Sequence, residues 1–135
     1  METKFNFNSQ ICTSRSQSER LLALGLKKET ADMRRPHYNE HTPWVIDERD
    51  CLNEHWLPAW SLHRLIEMMP KVIKLCYPNL HFTMLHDSVH YCDFDYNEEF
   101  EQVFSAKNNI YENIIDCYEW LIKNWYFDEA LLNKE

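Results

Sequence analysis

Glycine is nearly absent from this chain of 135 residues: Gly25 is the only one. Folds that cradle phosphates in glycine-rich loops, or that turn many hairpins through positive φ, are therefore excluded as expectations. No Cys-x-x-Cys pair occurs. The five cysteines, Cys12, Cys51, Cys76, Cys92 and Cys117, are scattered and odd in number. A secreted disulfide framework would be even and denser, so a reducing cytoplasm is the expected setting. There is no excess of basic residues either. The formal net charge is −8, and such a surface repels phosphate backbones, so no direct nucleic-acid binding is expected. No apolar run approaches the length that crosses a bilayer, and the opening residues hold no apolar signal core, so no membrane association is expected.

Large rings are plentiful. Five Trp, seven Tyr and seven Phe bring the aromatic content to 14%. Each ring buries much apolar area, so the chain can build a real core as one domain over residues 1–135.

Local signals give the elements. Ser16-x-x-Glu19 reads as a capping box for a helix over 17–24. Gly25 stands at its left-handed C-terminal position, and Leu26 makes the apolar contact beyond it. Residues 27–33 read as a polar turn. Pro36, Pro43 and Pro58 then interrupt any regular ladder, so about 34–58 is expected to be an irregular loop, with Trp44-Val45-Ile46 as one short strand. Ser61 caps a second helix, whose Leu62, Leu65, Ile66 and Met69 form one stripe with a boundary at Pro70, past which the pattern could resume through Val72 and Ile73. Alternation over 80–94 predicts a hairpin turning at Asp87-Ser88. Ser105 is expected to cap a long helix carrying Ile110, Ile114, Cys117, Tyr118, Leu121 and Ile122 on one face. Trp125, Tyr126 and Phe127 end it, and Asp128 starts a last turn. The predicted fold is α+β: about three helices packed on a small antiparallel sheet built around the 80–94 hairpin. Residues 44–46 or the N-terminal arm with Phe5 and Phe7 are candidates to extend that sheet.

Four stretches carry a resemblance. They are Gln17-Ser-Glu-Arg-Leu-Leu-Ala-Leu-Gly-Leu26, Glu29-Thr-Ala-Asp-Met33, Leu57-Pro-Ala-Trp-Ser-Leu-His-Arg-Leu-Ile-Glu-Met-Met-Pro70, and Tyr111 to Tyr126 with its Trp120-Leu-Ile element. Together the chain resembles a family of small uncharacterised proteins encoded in phages, prophages and mobile elements of Bacteroides-type gut bacteria. The resemblance implies a setting, an accessory protein made inside a bacterial cell, and no chemistry.

Candidate chemistry is thin. His37-Tyr-Asn-Glu-His41 matches the H-x-x-E-H zinc-peptidase pattern, which needs both histidines one turn apart on a helix. Pro36 and Pro43 flank it and no apolar stripe supports a helix, so these read as loop residues. Asp93-x-Asp95-x-Asn97 begins like a Ca²⁺ loop. Glu98 stands where the sharp turn needs Gly, and Phe104 where the bidentate acid belongs. The acidic run 93–101 therefore reads as a solvated loop. His86 and His90 could share a metal only with a three-residue turn. The preferred two-residue turn sets His90 opposite Leu85 and His81 about 13 Å away on the same face. Cys92 shares a face with His90 but has no glycine turn to build an oxyanion hole.

Two aromatic knots remain, Trp56-Leu-Pro-Ala-Trp60 and Trp125-Tyr-Phe127. Exposed Trp and Tyr anchor protein interfaces, so Trp56, Trp60, Trp125 and Tyr126 are the candidate partner-binding residues. On that reading Trp60→Ala weakens partner capture without unfolding the domain. The expectation is a non-enzymatic accessory protein that needs no cofactor and binds a host or element-encoded protein; self-association is compatible with it. The alternative is a small metal-binding protein or metal-dependent enzyme using His37, His41, His86 and His90.

Overall fold

A computed structural model describes residues 10–36, 44–45, 56–74, 79–85, 88–92, 102–104 and 109–133. Their elements are three helices and two antiparallel sheets. The α+β class is thus as the sequence predicts, with more strand than it announces.

Helix α1 is Arg15–Ala23. Its cap is Ser14, two residues before the expected Ser16. The Ser14 hydroxyl accepts from the Gln17 backbone N–H at 3.2 Å, and the Gln17 side chain accepts from the Ser14 N–H at 2.9 Å. This is a reciprocal capping box with Gln in place of Glu. At the other end Gly25 has φ +102°. Its N–H donates to the Leu22 carbonyl at 3.0 Å, and the Leu26 N–H donates to the Leu21 carbonyl at 3.2 Å. That pair of bonds is a Schellman motif. Leu21 and Leu26 are both buried, which makes the predicted apolar contact beyond the cap.

The segment expected to be an irregular loop contains a sheet. Strands β1 (Met33–Pro36), β2 (Trp44–Val45) and β3 (Trp56–Ala59) pair antiparallel in the order β2-β1-β3. Pro36 lies opposite Trp56 and Pro58 opposite Arg34. Proline removes one donor from a ladder and does not prevent neighbouring residues from pairing, which is why the expected loop is a sheet here. Trp44–Val45 is a strand as predicted, but it joins β1 and not the hairpin sheet.

Helix α2 is Leu62–Met68 with Ser61 as its cap, as expected. Asp32 steadies that cap, because its carboxylate accepts from the Ser61 N–H at 2.8 Å and from the Ser61 hydroxyl. Past Pro70 the chain does not resume a helix but forms strand β4, Val72–Lys74.

The hairpin comprises β5 (Asn79–Leu85) and β6 (Ser88–Cys92). Leu85 pairs with Ser88, so the connection is 86–87 and the expected turn at Asp87-Ser88 is one residue late. β4 flanks β5, and β7 (Gln102–Phe104) flanks β6. Leu80, Val89 and Tyr91 are buried on the face that meets the last helix.

That helix, α3, spans Ile110–Lys123 and is capped by Asn109, whose side chain accepts from the Tyr111 and Glu112 N–H groups. The expected cap, Ser105, is four residues too early. Ile114, Cys117, Tyr118 and Leu121 are buried as the stripe predicts, and Tyr111 and Ile115 widen it. Asp128 starts a short 3-10 turn over Glu129–Leu131.

Two side chains tie the layers together. Trp60 is 0% exposed. Its Nε1 donates to the Thr30 hydroxyl at 2.9 Å, and its backbone N–H donates to the Thr13 hydroxyl at 3.0 Å. Arg20 on α1 reaches three carboxylates on α3: Glu112 at 3.4 Å, Asp116 at 2.6 Å and Glu119 at 3.0 Å. The spacing of those acids along α3 places them on one helix face. Among the described residues no helix is long and apolar enough to cross a membrane.

Candidate functional site

The end of α3 is built like the end of α1, with one difference. The Trp125 N–H donates to the Ile122 carbonyl at 3.3 Å, and the Tyr126 N–H donates to the Leu121 carbonyl at 2.9 Å. This is again a Schellman pair, so residue 125 must be left-handed. Here the residue is Trp, with φ 63°. A bulky side chain in that conformation crowds its own backbone and costs about 1–2 kcal/mol.

The flanking residues explain why the indole faces water. Tyr126 packs on Trp120 with ring centroids 5.4 Å apart, and Phe127 packs on Tyr118 at 5.0 Å. Both are drawn towards the core. Beyond them the chain is strapped to the end of α1. The Lys27 N–H donates to the Leu131 carbonyl at 3.0 Å, and the Asn133 N–H donates to the Gly25 carbonyl at 2.7 Å. Leu26 and Leu132 form a single bridge between these segments. Position 125 is therefore held from both sides, and its side chain is 82% exposed.

The other candidate residues fare differently. Trp60 is a core residue, which corrects its reading as a partner anchor: no partner reaches a fully buried ring. Tyr126 is half-buried against Trp120. Trp56 opens β3 opposite Pro36, and its side chain is outside the described ones. Among the three candidates whose side chains are described, Trp125 is the one that the structure presents to solvent. Three of the candidate metal ligands, His37, His41 and His86, lie outside the described residues, as does the acidic run 93–101.

His90 sits opposite Thr83, not Leu85, because the turn comes one residue earlier. His81 then pairs with Cys92, two positions along the same face. Among the described residues no group of three or more His, Cys, Asp or Glu could hold a metal ion. His90 Nε2 lies 2.6 Å from the Ser88 hydroxyl. A base beside a hydroxyl is the start of a nucleophile, but Ser88 is only 5% exposed, so a substrate has no approach to it. The two buried thiols among the described residues, Cys12 and Cys117, offer no better one. Burial pushes the Cys117 thiol well up, with Asp116 adding to the effect. Burial also raises Cys12, against the lowering effect of Arg35, whose Nη2 lies 3.9 Å from the sulfur. Buried thiols held protonated are inert.

The described residues carry nearly balanced charge, ten Lys and Arg against nine Asp and Glu. The other four Lys and Arg and thirteen Asp and Glu of the chain lie outside the described residues. No family profile, no curated protein and no solved structure matches the chain.

Proposed function

We propose that this chain is a non-enzymatic binding protein that engages a protein partner through Trp125. The observation that carries this reading is a bulky aromatic held outward at a left-handed position, 82% exposed. Glycine would suit that backbone better and a polar residue would suit the solvent better. Local strain of this kind concentrates where a side chain serves recognition. Trp is also the residue type most enriched among side chains that dominate interface energetics. The proposed setting is the cytoplasm of a bacterial cell, with a host protein or one encoded by a phage or mobile element as the partner.

The test compares wild type with Trp125→Gly as baits in a lysate of the bacterial host. A protein retained by the first and not the second is then purified and titrated against both by calorimetry. The expected result is a loss of binding of about 2 kcal/mol or more, roughly thirtyfold in Kd. Equal affinity of both proteins for that partner contradicts the reading.

A further inference from the structure

We draw no further inference here: the strongest candidate, the face of the three-stranded sheet on which the register sets Trp44, Arg34 and Pro58 in one row and Pro36 and Trp56 in the next, carries nothing because nothing in the structure shows what covers it.

Discussion

Trp125→Gly should leave the stability of the protein nearly unchanged, although it deletes the largest side chain there is. Glycine relieves the left-handed backbone of about 1–2 kcal/mol. Against this, the indole is 82% exposed, so about a fifth of its surface is buried. A Trp buries at most about 250 Å², so the apolar area that the variant exposes is on the order of 50 Å², worth about 1 kcal/mol. Glycine's larger freedom in the unfolded chain costs a further 0.5–1 kcal/mol or so. These quantities nearly cancel, and the net change should fall within about 1 kcal/mol of zero. Trp125→Ala separates the contributions. It gives up the same packing yet keeps a Cβ at φ 63°, so it should be less stable than the Gly variant by about 1 kcal/mol. Urea denaturation followed by circular dichroism measures both, with unchanged m-values required for the comparison. A loss above about 2 kcal/mol in Trp125→Gly would show that the indole is structural, and the reasoning fails.

Three further outcomes follow from the same structure. Trp60→Ala should lose about 3–5 kcal/mol in urea denaturation, because it opens a cavity in the core and removes the donor to Thr30; retention of near-wild-type stability refutes the core assignment. Gly25→Ala should cost about 1 kcal/mol from backbone strain alone, since a Cβ there meets nothing within 4 Å; an unchanged denaturation midpoint counts against the left-handed cap. Acid should weaken the fold through Glu119, whose carboxyl is held below its ordinary value of 4.5 by Lys123 first and by Arg20 second. A lowered folded pKa gives stability that is present above the ordinary value and lost as pH falls through the folded one. In Lys123→Met the loss of stability on acidification below about 4.5 should be shallower, and an identical pH profile rules the pairing out.

What is legible in the sequence, and what is hidden, has physical causes. Gly25 is readable because a lone glycine after an apolar run has few other uses, and it does close α1. The stripes of α2 and α3 are readable because burial on one face imposes a 3.6-residue period. The caps Ser14 and Asn109 are not, because several polar residues crowd each helix start and only backbone geometry chooses among them. Prolines obscure the sheet of β1, β2 and β3, since they weaken a strand signal even where pairing survives. In the hairpin no glycine marks the turn, so the expected turn slips by one residue and the partner of His90 changes from Leu85 to Thr83.

The candidate site is half visible. Both aromatic knots look alike in sequence. Trp60 is claimed by the core through Thr30 and Thr13, which lie 30 and 47 residues away along the chain. No local pattern announces contacts so distant. Trp125 stands out as a candidate but its conformation does not, because the residue at the left-handed end of a helix is usually glycine and here is not. The Arg20 clamp has a signal in the spacing of Glu112, Asp116 and Glu119 on one face of α3, which calls for a cation on a neighbouring element.

The central claim is that Trp60 belongs to the core while Trp125 is held out to solvent. Fluorine NMR of fluorotryptophan-labelled protein tests it most directly, with Trp125→Phe and Trp60→Phe assigning the two resonances. The expected result is a large solvent isotope shift on changing from H₂O to D₂O for Trp125 and none for Trp60. A protected Trp125 resonance, or a solvent-exposed Trp60, contradicts the account.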